Sequence, residues 1–306
     1  MRNLQELPKL RDSLTYLYFE HGRVEQEQLA VAFVDKNKQY TPIPAASLSV
    51  LMLGPGTTIT HAGVKTLVDN GCLILWVGED NTRLYAQGGG ETRKAYHLLR
   101  QAELAGDPVK RLEVVRRMYE LRFAEPIDPT ATLQQIRGME GARVRTAYAR
   151  LGRRTGVIWQ GRNYDRQDWD NADPINQAIS TANGLLNGLC HAAIVSGGYS
   201  PALGFIHTGK QMSFVYDIAD LYKIDITVPV AFEVVAKGKH NLRQRVRQAC
   251  REAFKEHKLL QRILPDIDRL LEAENLPPDG EPDPDLDPAA PAPLWDAPVD
   301  EEGNPR

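Results

Sequence analysis

The chain has 306 residues, of which 42% are hydrophobic and 25% are charged, and its formal net charge is −3. This is the composition of an ordinary globular protein with enough residues for two cores. The three cysteines contain no C-x-x-C pair, so the sequence predicts neither a thiolate zinc site nor a disulfide framework, and it fits a reducing cytoplasm. We find no signal peptide and no apolar run long enough to span a bilayer, so no membrane association is expected.

The first part of the chain reads mostly as short strands separated by turns. Apolar runs occupy residues 16–19, 29–34, 48–53 and 73–77, and a short helix between Thr60 and Gly71 precedes the last run. This pattern predicts a small β domain over residues 1–87. Three consecutive glycines at 88–90 then mark a hinge.

Beyond these glycines the hydrophobic period becomes helical. We predict helices over about 91–106, 109–123, 133–151 and 175–196, and further helices up to about residue 275. The sequence therefore predicts an α+β protein, in which a larger all-α domain over residues 91–275 follows the β domain.

Charge is distributed unevenly along the chain. From Leu276 onward there are nine acidic residues and one basic residue, a net charge of −8, which leaves +5 for the rest of the chain. A basic body suggests a polyanionic partner. The Pro-rich acidic tail, residues 277–306, has too few apolar residues to form a core, so we expect it to be disordered when free. Its one apolar patch, around Trp295, could fold onto a partner.

Residues 204–220 concentrate the side chains that are able to do chemistry. A glycine-bounded turn presents His207 and Lys210, and a helix with Ser213 as its expected N-cap carries Asp217 and Asp220 on one face. Carboxylates among apolar neighbours need a cation, a metal or a network of donors. One imidazole and two carboxylates suit a divalent metal ion, although a solvated helix face and a structural histidine are the alternative.

The same stretch also matches G-x-x-x-x-G-K, the start of a phosphate-binding loop. The next residue is Gln211 rather than the Ser or Thr that binds Mg²⁺ in such loops, and Pro201 lies where a strand should lead into the loop. An ATP-binding loop is therefore not the favoured interpretation.

Glu140 lies on a predicted helix that is otherwise rich in arginine, with Arg137 and Arg143 three residues to either side. It is the natural additional carboxylate for a metal site. A metal bound by Glu, His and Asp beside Lys and Arg indicates phosphoryl transfer.

Two further stretches favour a nucleic-acid partner. Residues 237–262 hold nine lysines and arginines against two glutamates, and Arg243, Arg247 and Arg251 recur every four residues, so they share one helical face. This pattern indicates phosphate contacts, although a solvated helix surface is the alternative. Residues 161–169 mix arginine with aromatic side chains in an irregular segment.

In the order of its motifs the chain resembles CRISPR-associated endonuclease one, the spacer-acquisition integrase, in its type I-E form. The resemblance extends over residues 8–262. It is carried by Gly56-Thr57, Thr60-His61-Ala62, Leu75-Trp76-Val77-Gly78-Glu79, Leu121-Arg122-Phe123, Arg137-Gly138-Met139-Glu140-Gly141, Asn163-Tyr164-Asp165, Asp168-Trp169, Ile175-Asn176-Gln177, Gly204 through Lys210, and Ser213 through Asp220. Each block is weak alone, and their number and order identify the family.

The resemblance implies an N-terminal β-sandwich and a C-terminal helical catalytic domain. It implies Glu140, His207 and Asp220 as ligands of Mg²⁺ or Mn²⁺, with Asp217 close by as an orienting residue or additional ligand. Lys210 is expected to stabilise charge on the reacting phosphate. The sequence does not decide whether His207 is a ligand or a general acid.

The resemblance also implies partners. Two homodimers are expected to flank a dimer of CRISPR-associated protein two, and we expect the acidic tail to strengthen that assembly. The complex would take a protospacer, a DNA duplex with single-stranded 3′ ends, and join those ends to the CRISPR leader-repeat DNA by transesterification.

Several residues are expected to contact DNA. The resemblance places Tyr164, Trp169 and Lys210 on the strand that carries the protospacer-adjacent motif. His21 stands where well-known relatives have a tyrosine that opens the duplex end, and imidazole offers less stacking area. The full expected set is His21, Arg83, Arg137, Arg143, Arg145, Arg162, Tyr164, Trp169, Lys210, Lys223, Arg243, Arg247 and Arg251.

Two other functions remain open from the sequence. One is a stand-alone, structure-specific DNA nuclease that does not integrate. The other is a non-catalytic DNA-organising subunit in which the acidic cluster is only structural.

Overall fold

The chain folds into a strand-rich N-terminal part and a helical C-terminal part. The computed structural model describes residues 16–27, 30–48, 50–78, 84–89, 95–123, 127–128, 130–161 and 173–273. In chain order its elements are β1 Tyr16–Phe19, β2 Gly22–Glu27, β3 Ala30–Asp35, β4 Tyr40–Ile43, β5 Val50–Leu53, β6 Thr58–Ile59, α1 His61–Asp69, β7 Leu73–Val77, β8 Leu84–Gly88, α2 Ala95–Gly106, α3 Pro108–Phe123, α4 Leu133–Thr155, α5 Pro174–Ser196, α6 Ser213–Asp220, a π-helical turn Lys223–Thr227, α7 Val228–Ala236, α8 Leu242–Glu256 and α9 Leu259–Leu271. The predicted α+β class is confirmed.

Two four-stranded sheets form the N-terminal part. One has the order β1-β5-β7-β8, in which β8 is the antiparallel edge strand, and the other has the order β4-β3-β2-β6. Side chains from both sheets and from α1 fill one core, which includes Val24, Phe33, Leu51, Leu67 and Ile74. The predicted cap of α1 is present, because the Thr60 side chain accepts a hydrogen bond from the Gly63 amide at 3.1 Å.

The first sheet is buried on both faces. Leu51 and Leu53 of β5 point into the core between the sheets, whereas Val50 and Met52 pack on the other face with Ala192 of α5. Burial on both sides explains why β5 is a continuous apolar run rather than an alternating one. Helix α5 therefore joins the β domain to the helical domain.

Helix α5 is the central helix of the helical domain. It begins with Pro174, and the Asp173 side chain caps it by accepting from the Asn176 amide at 2.7 Å. Our expectation that no apolar run could span a bilayer needs correction here. By length and composition the helix could do so. However, 67% of its most apolar stretch is buried inside the fold, so packing in the protein core accounts for its apolar composition.

Helix α4, which carries Glu140, extends one turn beyond its predicted end. A capping box joins Thr132 and Gln135 at its start, and Gly156 ends it in the left-handed conformation with φ of 70°. The arginines at its C-terminal end are good helix formers with a favourable interaction with the helix dipole, which explains the extra turn.

All three cysteines are buried and form no disulfide, as the sequence predicts. The tail, residues 277–306, lies outside the described residues, so its predicted disorder and docking stay predictions.

His191 is a buried titratable group on α5. It is 5% exposed, and neither ring nitrogen has a hydrogen-bond partner among the described residues. Burial lowers its pKa from 6.5 to about 4.

We therefore predict a pH-dependent loss of stability through His191. Between about pH 6.5 and about pH 4 the unfolded chain binds a proton that the folded chain excludes, so the free energy of unfolding should fall by about 3 kcal/mol as pH falls through this window. In His191→Leu this part of the decline should disappear. Urea unfolding of both proteins across the window measures it, with the exposed His257→Leu as control. Parallel pH profiles for wild type and His191→Leu would contradict the prediction.

Candidate active site

One buried carboxylate holds the loop that precedes α6. Asp217 is fully buried, and its oxygens accept backbone N–H bonds from Phe205 at 2.6 Å, from Ile206 at 3.1 Å and from His207 at 2.9 Å. These donors satisfy a charge that would otherwise be costly to bury. Asp217 therefore orients the loop from the protein interior and is not exposed at the surface of the site.

The glycines of this loop have structural roles. A Cβ atom on Gly204 would lie 2.3 Å from the carbonyl oxygen of His207, and Gly209 has a φ of 79°. Glycine lacks a Cβ atom, so it allows the close approach at position 204 and the positive φ at position 209 without strain. The match to a phosphate-binding loop thus reflects loop geometry.

The predicted N-cap role of Ser213 is wrong. Ser213 is the first helical residue, and Met212 occupies the cap position without a side-chain hydrogen bond. The Ser213 hydroxyl instead accepts from the Lys210 amide at 3.0 Å and donates to the Lys210 carbonyl at 2.9 Å. It therefore closes the turn on which Lys210 is exposed.

Side chains from α2 and α3 hold the same loop from behind. Gln101 donates to the carbonyls of Ser200 at 3.0 Å and Leu203 at 2.9 Å, and accepts from the Ser200 amide at 2.7 Å. Arg111 donates twice to the Phe205 carbonyl, at 2.9 and 2.7 Å. The loop is therefore fixed on two sides before it reaches His207.

His207 presents one ring nitrogen outward. Its Nδ1 lies 2.6 Å from Oδ1 of Asp217, and because an ionised carboxylate can only accept, Nδ1 donates. This bond raises the pKa of His207, burial opposes the rise, and the charges of Asp217 and Asp220 add to it. The side chain is 44% exposed, so Nε2 is the nitrogen left for a ligand.

Glu140 and Asp220 line one pocket, although they lie 80 positions apart in the sequence. Each is paired with a cation, Glu140 with Arg122 of α3 and Asp220 with Lys223. The residues that line the pocket are Arg122, Phe123, Glu140, Arg143, Val144, Asp220, Leu221, Ile224 and Asp225. His207 is outside this lining, but it is near enough for the charge of Asp220 to raise its pKa.

The donor set suits a divalent metal ion in its chemistry. Two carboxylates at one pocket and an imidazole with an unused nitrogen are ligands that Mg²⁺ or Mn²⁺ accepts. Within the described residues, however, no three His, Cys, Asp or Glu side chains are grouped so that they could hold a metal ion. Arg122 and Lys223 balance the two carboxylates instead, and the ligand set Glu140, His207 and Asp220 stays a prediction.

Sequence reasoning missed Asp225, a third carboxylate at the pocket. It lies in the π-helical turn, where the Val228 amide bonds to the Lys223 carbonyl. Residues five apart lie on different sides of an α-helix, whereas the wider π turn brings position 225 round to the pocket that Asp220 lines. No compositional signal marks such a turn, so the sequence offered no means of finding it.

The expected DNA-binding residues fall into several environments. Arg137, Arg145, Lys210, Arg243 and Arg251 are exposed. Arg251 also lies over the ring of Tyr18 at 5.7 Å, so it contacts the β domain.

Other members of that set have protein partners. Arg143 lies over the Phe123 ring at 5.3 Å, Lys223 pairs with Asp220, and Arg247 is half-buried. Arg83, Arg162, Tyr164 and Trp169 lie outside the described residues. The DNA-binding role of the whole set stays a prediction.

His21 lies at an exposed turn between β1 and β2. Its φ is 56°, and a Cβ atom on Gly56 would lie 2.6 Å from its Nδ1. The ring lines an open groove with Arg23, Asp35 and Lys36.

Comparison with known proteins identifies the family. The model of the family "CRISPR associated protein Cas1" matches residues 16–125 and 120–263. The chain belongs to the Cas1 family. This confirms the resemblance found in its motifs.

Close Cas1 relatives span nearly the whole chain. CRISPR-associated endonuclease Cas1 2 of Thermus thermophilus is 53% identical over 302 residues, which are 99% of this chain and 92% of the relative. CRISPR-associated endonuclease Cas1 of Escherichia coli is 43% identical over 291 residues, 94% of this chain and 95% of the relative. A crystal structure of TtCas1 with DNA has a TM-score of 0.73 and 55% identity, and the match covers 87% of this chain and 99% of that one.

We predict that Asp217→Asn destabilises the protein and lowers the pKa of His207. Asparagine has one acceptor oxygen where aspartate has two, and its NH₂ group faces N–H donors, so loop N–H groups lose partners at about 1–3 kcal/mol each and the free energy of unfolding should fall by about 2–5 kcal/mol. The pKa of His207 should move toward its usual value of 6.5. Urea unfolding and NMR titration measure the two effects. Asp225→Asn, at an exposed carboxylate of the same site, is the control, and equal stability of the two variants would contradict the role of Asp217.

Proposed function

We propose that this Cas1-family chain is a metal-dependent DNA endonuclease and integrase of CRISPR adaptation. It would join the 3′-hydroxyl ends of a captured protospacer to the CRISPR repeat. The observation that carries the proposal is the pocket at which Glu140 of α4 and Asp220 of α6 meet, beside an outward-facing His207. Relatives that bear the name CRISPR-associated endonuclease and a TtCas1 structure with DNA support it.

Glu140, His207 and Asp220 are the residues that would hold Mg²⁺ or Mn²⁺. When bound, the ion supplies Lewis acidity to a phosphodiester and favours the deprotonated form of an attacking hydroxyl. Asp217 contributes by fixing the His207 ring, so that Nε2 faces outward. Arg122 pairs with Glu140 and Lys223 pairs with Asp220, so both proposed carboxylate ligands also have a cationic partner.

The proposed reaction is a direct exchange of phosphodiester bonds. The 3′-oxygen of the incoming strand forms a bond to phosphorus, the bond from phosphorus to the 3′-oxygen of the repeat strand breaks, and the proton lost by the first hydroxyl is regained by the second. No covalent enzyme intermediate is required, so the protein contributes positioning and charge stabilisation. Arg143, which lines the pocket, and Lys210, which is exposed on the loop before α6, are the cations that would stabilise the developing phosphate charge. Water in place of the hydroxyl would give hydrolysis and so endonuclease activity.

The DNA path and the assembly belong to the same proposal. The exposed arginines of α4 and α8 supply positive charge for the phosphate backbone. Two homodimers flanking a dimer of CRISPR-associated protein two would place two such sites at the two ends of one protospacer.

We predict that Glu140→Ala, His207→Ala and Asp220→Ala each abolish strand transfer while DNA affinity stays within about tenfold of wild type. Each change removes a proposed metal-binding side chain, whereas arginines and lysines elsewhere supply most of the phosphate affinity. The measurement is transfer of a 3′-hydroxyl oligonucleotide into a supercoiled repeat plasmid with added Mg²⁺ or Mn²⁺, together with CRISPR-associated protein two.

The same assay separates the alternatives. Integration by wild type supports the integrase, nicking alone would indicate a stand-alone nuclease, and binding alone would indicate an organising subunit. Wild-type integration by any of the three variants would remove that residue from the proposed site.

We also predict a steep fall of DNA affinity with salt. Neutralising phosphates releases counterions, so replacing Arg243, Arg247 and Arg251 together by glutamine should reduce the slope of log affinity against log salt by about 2 to 3. A control variant, Lys65→Gln with Lys110→Gln, removes exposed charge from α1 and α3. An unchanged slope in the arginine variant would show that this face of α8 does not meet DNA.

A further inference from the structure

The outward side of α2 is apolar. Ala95, Leu98, Leu99 and Ala102 are all exposed, and the exposed fractions of the two leucines are 41% and 66%. Positions three and four apart share one side of a helix, so these four residues form a stripe, which we call the apolar face of α2. Leu104, on the opposite side, is buried in the domain core. Contiguous exposed apolar residues mark a surface that binds another segment or molecule.

The described chain ends beside this face. Nε of Arg100 donates to the Leu271 carbonyl at 3.1 Å, and its guanidinium pairs with Glu272 at 3.1 Å. From α3, Arg117 donates to the Leu270 carbonyl at 2.9 Å and pairs with the same glutamate at 2.7 Å. The end of α9 is therefore tied to the helix that carries the apolar face, and the residues after 273 begin next to it.

One donor at this junction lacks an acceptor. Nη2 of Arg117 is buried and has no hydrogen-bond partner within the part of the chain that the structure describes. Leaving such a donor unsatisfied is costly, and a carbonyl or carboxylate of the residues that follow would satisfy it. The next residue is Glu274, and nine further acidic residues follow it. The unused donor therefore favours a tail that continues along α2 and α3.

The apolar patch of the tail suits the apolar face of α2. The patch covers residues 289–295, which are three alanines, two prolines, one leucine and one tryptophan, without a charge. Proline restricts the unfolded chain, so ordering this patch costs less entropy than ordering most sequences.

The tether is long enough to bring the two surfaces together. Leu294 follows residue 273 by 21 positions. A flexible chain of that length spans about 25 Å, whereas residues 95–102 of α2 extend over only about 10 Å. Tethering also gives the patch an effective concentration on the order of millimolar at the face. A contact too weak to hold a separate molecule is therefore sufficient within one chain.

We propose that the apolar patch of the tail docks on the apolar face of α2 in its own chain. Leu294 and Trp295 cover Leu98 and Leu99, and the tryptophan supplies most of the buried area. The carboxylates on either side of the patch stay in solvent. This inference goes beyond the proposed function and does not depend on it, since none of these residues belongs to the proposed metal site.

The test follows Trp295 by fluorine NMR. The chain has four tryptophans, so full-length protein labelled with 5-fluorotryptophan gives one resonance for each, and Trp295→Phe identifies the resonance that belongs to the tail. A labelled synthetic peptide of residues 286–299 gives the resonance of the free patch. We expect the Trp295 resonance of the wild-type protein to be shifted from that of the peptide and to be broader.

A pair of double variants locates the docking surface. Leu98→Gln with Leu99→Gln should return the Trp295 resonance to the peptide position and leave the other three resonances unchanged. The control, Leu112→Gln with Ile158→Gln, removes two apolar side chains of comparable exposure, 37% and 78%, from other surfaces, and should leave the shifted resonance in place. All four positions are exposed, so both variants should fold, and thermal melts check this.

A mixed dimer distinguishes the chain's own face from that of a second copy. Labelled protein with Leu98→Gln and Leu99→Gln is combined with unlabelled wild type. A Trp295 resonance that returns to the shifted position would show docking on the second copy and overturn the proposal. A peptide-like resonance in the wild-type protein, or one that shifts only when CRISPR-associated protein two is added, would also overturn it.

Discussion

The site depends on a buried charge that must be satisfied. Asp217 is completely removed from solvent, and an ionised carboxylate in that position is tolerated only if donors surround it. Three consecutive backbone amides and the His207 ring provide those donors. Residues 204–212 form no strand or helix, so their N–H groups lack the regular partners of secondary structure. The Asp217 carboxylate accepts three of these N–H groups and so fixes the loop.

Packing of the other helices brings Glu140 to the pocket that Asp220 lines, at the end of α6. Helix α4 carries the glutamate, α3 pairs with it through Arg122, and Asp220, the last residue of α6, lines the same pocket. Lys223 stands beside Asp220 as Arg122 stands beside Glu140. Each of these two carboxylates at the pocket is therefore paired with a cation from a neighbouring turn or helix.

The sequence predicted the elements better than the contacts between them. Hydrophobic periodicity, together with glycine, proline and capping residues, was sufficient to predict the α+β class, the cap at Thr60 and the placement of Asp217 and Asp220 on one helix. They could not show which of these two aspartates turns inward, because residues three apart share a face and burial is decided by tertiary packing. The same limit applies to Ser213, whose cap propensity was overridden by the turn at Lys210.

Long-range features lay beyond any local pattern. The meeting of Glu140 with Asp220 at one pocket and the position of Asp225 in a π-helical turn both depend on how the helices pack. Arg251 shows the same limit, because it belongs to the helical face predicted to contact phosphate and also lies over the ring of Tyr18 in the β domain. Family resemblance supplied the metal-ligand set that the residues alone left open.

Amide hydrogen exchange at Phe205, Ile206 and His207 tests the role of Asp217 most directly. If the buried carboxylate holds the loop, these three amides should exchange as slowly as amides inside α6, and Asp217→Asn should release them while the α6 amides stay protected. Fast exchange of the three amides in the wild-type protein, or unchanged protection in Asp217→Asn, would show that the loop and His207 are positioned by other contacts.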